Sequence, residues 1–246
     1  MKLLLLGTTG YHPNNDRHTA CMMIPECGVI LDAGTAMFRA RNYLATSTLD
    51  IFLTHAHLDH VIGLTYLFDV LFEKPMDYVH VHGHEEKLQA VERHLFHEAL
   101  FPARPSFTWK PLTEKVPLPG NGSLTHFPLV HPGGAVGYRL DWPGHSLAYV
   151  TDTTARSDSA YIAQISEVDV LVHECYFADG WEPFADKTGH SCTTPVAQVA
   201  RAANVGRLVL VHINPLDPSS DPVGLDTARR IFPATEMGRD LMEIEF

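Results

Sequence analysis

The sequence has little of what marks secreted or membrane-spanning chains. Of its 246 residues only four are cysteines, and no two of them form a Cys-x-x-Cys pair. A chain of this length does not need disulfides to fold, so we expect reduced thiols and a cytoplasmic location. The leucine run in MKLLLLG is too short for a signal-peptide core or a membrane span, and we interpret it as a first strand.

Positive charge is also scarce. The chain carries 18 Lys and Arg against 29 Asp and Glu, which gives a formal net charge of −11. Binding of long nucleic acid depends on basic side chains that neutralise many phosphates. The composition therefore disfavours a broad electrostatic hold on RNA or DNA, although it is compatible with a local basic patch.

No internal repeat, low-complexity tract or change in composition marks a linker. With 45% apolar residues the chain can bury one large core or two smaller ones, and we expect a single domain over residues 1–246. Short apolar runs between turn residues predict ten strands: KLLLLG, ACMMI, GVILDAG, LDIFLTH, DYVHVHG, SLTHFPLV, AVGYRLD, HSLAYVTD, VDVLVHE and RLVLVHI.

Helical periodicity appears in HEEKLQAVERHLFHEAL (84–100) and in TTPVAQVARAANVG (193–206). In the second segment Thr194 is the expected cap, Pro195 fits the first turn and Gly206 is the expected terminator. Strands followed by mixed strands and helices predict an α/β fold with two or more layers. The proline-rich stretch 101–122 is expected to form one long irregular loop over the functional site.

The stretch THAHLDH contains His55, His57, Asp59 and His60 between two apolar runs. Alternate side chains of an extended segment share one side, so His55 and His57 can bind one cation together. Asp59 and His60 follow where the chain turns, and they can face a second cation nearby. Imidazole and carboxylate are ligands that suit zinc, manganese and iron.

Two cations need about six or seven ligands, so others must come from distant strand ends. His131, Asp152 and His212 each stand at the carboxyl end of an apolar run. Zinc is the first expectation for the two divalent ions, with manganese and iron as alternatives. His80, His82 and His84 in VHVHGH could hold an extra metal, although the segment is also typical of a strand that leads into a helix.

These residues and their order resemble the metallo-β-lactamase superfamily over nearly the full chain. The resemblance implies a four-layer αββα sandwich with the site at one edge of its two sheets. It also implies the ligand sets: His55, His57 and His131 for the first metal, Asp59, His60 and His212 for the second, and Asp152 as the bridge.

Two further segments resemble the ribonuclease Z and phosphodiesterase branch of that superfamily. They are LVHECYF, with Glu174, and TGHSCTTPVAQVA, with His190. The resemblance implies that Glu174 orients His190 and that His190 assists the phosphate transition state. Asp59 is placed with these two as a catalytic residue as well as a ligand.

The chemistry of such a site is that of a phosphodiesterase. Two cations about 3.5–4 Å apart supply a bridging hydroxide near neutral pH, and a protonated His190 can assist the leaving oxygen. Transfer-RNA processing relatives carry a long basic arm, in many members between the residues matching Gly137-Tyr138 and Asp152. Here a plain hairpin stands in that place. We therefore expect a small phosphodiester or nucleotide substrate rather than long RNA, no membrane partner, and a homodimer by analogy with relatives.

Other functions stay open on the same scaffold. One is a ribonuclease Z-type RNA 3′-processing endonuclease. Another is a hydrolase of carbonyl esters, lactones or β-lactams, of which the β-lactams are disfavoured because Asp152 stands where the common zinc β-lactamases have cysteine. A third is a non-catalytic ligand-binding protein, which the complete set of ligand positions disfavours.

Overall fold

The structure, a computed structural model, describes residues 1–246 and contains fourteen strands and six short α-helices. The strands are β1 (Lys2–Gly7), β2 (Cys21–Ile24), β3 (Val29–Leu31), β4 (Thr48–Phe52), β5 (Tyr78–Gly83), β6 (Thr108–Pro111), β7 (Lys115–Leu118), β8 (Gly122–Leu129), β9 (Ala135–Trp142), β10 (His145–Val150), β11 (Val170–Glu174), β12 (Arg207–Val211), β13 (Thr235–Met237) and β14 (Met242–Glu245). The helices are α1 (Leu58–Val61), α2 (Leu67–Val70), α3 (Glu85–Ala90), α4 (Glu182–Thr188), α5 (Thr193–Ala202) and α6 (Leu225–Ile231). No helix has the length and apolar character needed to cross a membrane.

The chain divides into two compact units, each built on one seven-stranded sheet. The first unit comprises Met1–Glu114 and Asp240–Glu245, and the second comprises Lys115–Arg239 and Phe246. The expectation of one domain over residues 1–246 stays a prediction.

The sheet of the first unit is mixed. Its strand order is β14-β1-β2-β3-β4-β5-β6, antiparallel from β14 to β3 and parallel from β3 to β6. One face packs against the helical segments that follow β3, β4 and β5, and the buried cluster there includes Leu4, Met23, Ile30, Ile51, Val81, Met37, Leu64, Leu67 and Leu88. Alternating apolar side chains along each strand supply this face, as the sequence runs predict.

The sheet of the second unit repeats this plan. Its order is β13-β12-β11-β10-β9-β8-β7, antiparallel from β7 to β10 and parallel from β10 to β13. Helix α5 covers one face, and the buried cluster includes Val150, Leu171, Leu208, Leu210, Val196, Val199 and Ala200. The two units thus share a plan in which parallel strands end together at one edge.

Polar residues collect where these parallel strands end. Asp32 follows β3, Asp152 follows β10 and His212 follows β12. All three are buried and adopt left-handed backbone angles, with φ of 58°, 45° and 56°. Such angles cost energy in residues other than glycine and cluster at functional sites. In α/β sheets ligands bind outside the carboxyl ends of the strands, so these edges are the candidate site.

All ten predicted strands are present, but the prediction of an irregular 101–122 segment is wrong. Residues 108–111 are β6 and residues 115–118 are β7. Strand β6 is at one edge of the first sheet, and β7 is at one edge of the second. Proline is tolerated in edge strands because the missing N–H faces outward. The prolines in this segment therefore made two edge strands look like a loop in the sequence.

The two predicted helices are present but differ at their ends. The first runs as α3 from Glu85 and continues as a π-helix only to Leu95. In the second, α5 begins at Thr193 with Cys192 as its N-cap, so the prediction that Thr194 is the cap is wrong. Thr194 is instead held by Asp179, whose carboxylate accepts hydrogen bonds from its backbone N–H and hydroxyl. The helix ends at Ala202, before Gly206, because the chain turns there toward β12.

Candidate metal centre

Four side chains of ligand type follow β4 in the first unit. The rings of His55 and His57 lie with centroids 4.5 Å apart, and those of His55 and His60 lie 4.3 Å apart. Helix α1 begins directly after His57, so Asp59 and His60 occupy its first turn, with Oδ2 of Asp59 3.4 Å from Nε2 of His60. The backbone N–H of Tyr11, in the loop after β1, donates to Oδ2 of Asp59 at 2.7 Å. The THAHLDH stretch is therefore a single cluster of imidazoles and a carboxylate.

Asp32 fixes the orientation of His60 from the end of β3. Its Oδ2 accepts a hydrogen bond from Nδ1 of His60 at 2.8 Å, and its Oδ1 accepts one from the backbone N–H of Thr54, also at 2.8 Å. Since Nδ1 carries the proton, Nε2 of His60 presents a lone pair on the side of Asp59. A carboxylate behind an imidazole is the usual support of a metal-binding histidine. Sequence reasoning gave this residue no role, and its place after an apolar run in GVILDAG is a signal that could have found it.

The second unit brings His131, Asp152 and His212 together. Oδ2 of Asp152 lies 3.5 Å from Nε2 of His131, and Oδ1 lies 3.2 Å from Nε2 of His212. The two oxygens of one carboxylate thus face two different imidazoles. One carboxylate in this position could serve two cations.

His131 is held by the backbone of Gly189. Gly189 caps the end of α4 with a φ of 77°, and its carbonyl accepts a hydrogen bond from Nδ1 of His131 at 2.9 Å. A Cβ at this position would lie 2.8 Å from Nδ1 and 2.4 Å from Cδ of Pro132. Only glycine satisfies both the left-handed angle and the close approach. The contact leaves Nε2 of His131 as the ring nitrogen that could bind a metal ion.

Glu174 and His190 are also in direct contact. Glu174 ends β11 and is fully buried, and its Oε1 accepts hydrogen bonds from Nδ1 of His190 at 3.1 Å and from the backbone N–H of Thr153 at 2.7 Å. Its Oε2 accepts a hydrogen bond from the backbone N–H of Ser191 at 3.2 Å. A buried carboxylate needs such partners, and here three donors hold it behind the imidazole.

His190 lies among the ligand-type residues of the second unit. One ligand atom from each of Asp152, His190 and His212 lies within 4.8 Å of the others. The ring of Tyr176 stacks on that of His190 with centroids 4.8 Å apart and an interplanar angle of 16°. Glu174 and Tyr176 therefore restrict the imidazole from two sides.

An aromatic cavity opens beside Tyr176. It has a volume of about 310 Å³ and is lined by Tyr176, Phe177, Ala178, Trp181, Asn214, Leu216, Asp217, Pro218 and Pro222. The ring of Trp181 is more than half exposed. Flat aromatic walls with a few polar groups suit a planar ring, since stacking favours aromatic partners.

His173, Cys175 and Cys192 also lie near this edge, but they are buried inside the protein. His173 precedes Glu174, but its Nδ1 donates to the carbonyl of Glu174 and its Nε2 accepts from the hydroxyl of Tyr161. Burial lowers the pKa of His173 and raises the pKa of the Cys175 thiol. Burial likewise raises the pKa of Cys192 to about 12. All four cysteines of the chain are buried and no disulfide joins them.

The donor set fits divalent transition metals. It consists of imidazole nitrogens and carboxylate oxygens, the ligands that zinc, manganese and iron share. His60 and His131 each have Nδ1 bound by an acceptor, which directs Nε2 outward as metal-binding histidines require.

Residues 28–213 match the family described as the beta-lactamase superfamily domain, and the chain belongs to this family. The chain is similar to ribonuclease Z of Methanosarcina mazei, with 27% identity over 100% of this chain and 98% of that protein. It is 39% identical to ribonuclease Z of Salinibacter ruber over 116 residues, which are 47% of this chain and 34% of that protein. The match thus spans about a third of the length of the Salinibacter relative.

Solved structures confirm the metallo-β-lactamase fold. The metallo-beta-lactamase fold protein YhfI from Bacillus subtilis superposes with a TM-score of 0.84 at 17% identity, covering 99% of both chains. The short form of human tRNase Z gives a TM-score of 0.76 at 18% identity, covering 100% of this chain and 99% of that one. Zn²⁺-bound PqqB from Methylobacterium extorquens gives 0.76 at 17% identity, covering 100% of both. The predicted α/β class and family are therefore confirmed.

Proposed function

We propose that this protein is a dinuclear metal-dependent phosphodiesterase that hydrolyses a small phosphodiester or nucleotide. In this proposal His55, His57 and His131 hold one divalent cation, Asp59, His60 and His212 hold the second, and Asp152 bridges both. The support is that each unit supplies an incomplete ligand set, four residues after β4 and three after β8, β10 and β12. Zinc is the expected metal, with manganese or iron as alternatives.

The contact between His190 and Glu174 is the observation that favours a phosphodiester over a carbonyl substrate. Divalent cations held by these residues would supply a water molecule of lowered pKa and would offset charge on phosphoryl oxygens. The Glu174 carboxylate stabilises the imidazolium form of His190, whose Nε2–H can donate a proton to the leaving oxygen. Carbonyl substrates have less need of this proton donor, so the pair favours a phosphodiester.

The aromatic cavity supports a substrate with a planar ring. Tyr176 stacks on His190 and lines the cavity with Trp181, so a nucleobase bound there would contact the ring that packs against the proton donor. Base–aromatic stacking contributes about 1–3 kcal/mol per base and tolerates different bases. We infer that the substrate is a nucleotide diester or cyclic nucleotide.

The test is hydrolysis of bis(p-nitrophenyl) phosphate by protein loaded with zinc or manganese. We expect turnover by the wild type and a loss of about 10²–10⁴-fold in kcat for His190→Ala, the contribution of one positioned proton donor. His97→Ala, at an exposed position, is the control and keeps the wild-type rate. A metal-loaded wild type that is inert on diesters but hydrolyses lactones or thioesters would overturn the proposal. Metal and ligand binding without turnover on any ester would instead indicate a binding protein.

A ribonuclease Z-type 3′-processing activity is the second candidate. Its support is the match over the full chain and nearly the full length of the Methanosarcina ribonuclease Z. Cleavage of a precursor transfer RNA at the 3′ end of its acceptor stem tests this candidate. If kcat/KM for the precursor exceeds that for small diesters by several orders of magnitude, the second candidate replaces the first.

The cytoplasmic location and the homodimer stay predictions.

A further inference from the structure

A second group of metal-ligand side chains lies on neighbouring strands of the first unit. Asp50 is on β4, and His80 and His82 are two residues apart on β5. Asp50 pairs directly with His80 in the parallel register. Because alternate residues of a strand share a face, the three side chains project on the same side of the sheet.

The three ligand atoms converge on one point. Nε2 of His82 lies 2.7 Å from Oδ1 of Asp50, and Nδ1 of His80 lies 3.4 Å from the same oxygen. All three ligand atoms lie within 4.8 Å of one another. A hydrogen bond between Asp50 and His82 does not need His80. The approach of a second imidazole to the same oxygen is therefore not explained by hydrogen bonding alone.

Neighbouring aromatic rings hold these side chains in place. The hydroxyl of Tyr78 donates to Oδ2 of Asp50 at 3.2 Å, which leaves Oδ1 facing the histidines. The ring of Tyr78 stacks on His80 with centroids 4.2 Å apart, and the ring of Phe52 stacks on His82 at 4.3 Å. Ligands whose orientation is fixed by a second layer of contacts lose little entropy on binding a cation.

We propose that Asp50, His80 and His82 form a third cation site, which binds a divalent transition metal such as zinc, with water completing the coordination. Two imidazoles and one carboxylate with an open position suit zinc, cobalt or copper better than magnesium or calcium. The side chain of His80 is 24% exposed, which gives a cation access to the otherwise buried cluster. The site is separate from the seven ligands of the proposed hydrolytic centre.

One positively charged side chain, Lys110, lies near the cluster and opposes the binding of a cation. Lys110, on β6, pairs with His82 in the register and is exposed. Burial lowers the pKa of His80, the Asp50 carboxylate opposes that shift, and the Lys110 ammonium adds to it. The ammonium also repels a cation, so its removal strengthens binding at this site.

The experiment is a count of bound zinc per chain by equilibrium dialysis and elemental analysis of the full-length protein. We expect His80→Ala and Asp50→Asn each to bind one ion fewer than the wild type, while His94→Ala, an exposed histidine of the same unit, binds the wild-type number. Lys110→Glu is expected to lower the Kd of that ion several-fold. Because the result is a difference between variants, it does not depend on how many ions the hydrolytic centre holds.

Circular dichroism and thermal unfolding verify that each variant is folded before its ions are counted. His80 is partly exposed, so its replacement by alanine leaves the core intact. Equal zinc stoichiometry in the wild type and in folded His80→Ala, with no change in Kd for Lys110→Glu, would overturn the proposal. The cluster would then be a hydrogen-bonded structural group.

Discussion

At the residue scale, our proposal has Glu174 act through His190 rather than by contact with the substrate. Replacement by glutamine keeps the shape but puts an amide where His190 and two backbone N–H groups donate. We expect kcat on a phosphodiester to fall about 10–100-fold, with the alkaline limb of the pH–rate profile moved to lower pH, because the imidazolium that donates the proton loses its carboxylate. Exposed Glu182→Gln is the matched control. An unchanged pH profile in Glu174→Gln would refute the positioning role.

Asp32 gives a second prediction at the residue scale. In Asp32→Asn the amide can still accept from Thr54, but its NH₂ group meets the Nδ1–H of His60, so the ring turns or changes tautomer. We expect zinc affinity to fall about 10–100-fold, measured by competition with a chromophoric chelator. Asp16→Asn, at an exposed position, should retain wild-type affinity. Equal affinities for the two variants would show that Asp32 serves stability alone.

At the scale of elements, helix α1, which carries the proposed ligands Asp59 and His60, is followed by a close contact between backbones. Gly63 follows α1, and a Cβ there would lie 2.3 Å from the carbonyl oxygen of Gly34 and 2.3 Å from Cβ of Met37. Gly63→Ala must therefore push apart residues 33–37 and the segment that contains Asp59 and His60. We expect a loss of about 1–3 kcal/mol in the free energy of unfolding, measured in urea, together with weaker metal binding.

The control for this prediction is Gly144→Ala, in the turn between β9 and β10. Gly144 has a φ of 81°, and a Cβ at this position would have no other atom within 4 Å, so alanine adds backbone strain without a clash. It should lower stability and leave metal affinity unchanged. If Gly63→Ala also leaves metal affinity unchanged, the close packing does not position the ligands.

The elements show what the sequence can predict and where it fails. Ten strands were predictable because their apolar runs are continuous and bounded by turns. The edge strands β6 and β7 were not, since proline and exposed polar residues interrupt their pattern. Asp50 could not be linked to His80 and His82 from sequence, because only the pairing of β4 with β5 brings them together. Motif density revealed THAHLDH, whereas nothing in the segment GVILDAG indicates that Asp32 contacts His60.

At the scale of the whole molecule, net charge bears on the choice between a small diester and long RNA. The chain carries a formal charge of −11, and residues 135–150 form the plain β9–β10 hairpin that the sequence predicts in place of an inserted arm. Affinity for nucleic acid depends on salt through the number of phosphates that basic side chains neutralise. The affinity for a substrate with a single phosphate therefore depends only weakly on salt concentration.

We expect kcat/KM for a dinucleotide or cyclic nucleotide to fall by no more than about fourfold between about 50 and 200 mM salt, the change for one phosphate contact. A transfer-RNA precursor gripped through about 6–10 phosphates would lose about 10³–10⁵-fold in affinity over the same range. The measurement compares both substrates across that salt series with the same metal-loaded protein. Efficient precursor cleavage with a steep salt dependence would mean that a local basic surface overcomes the net charge, and the RNA-processing function would then be preferred.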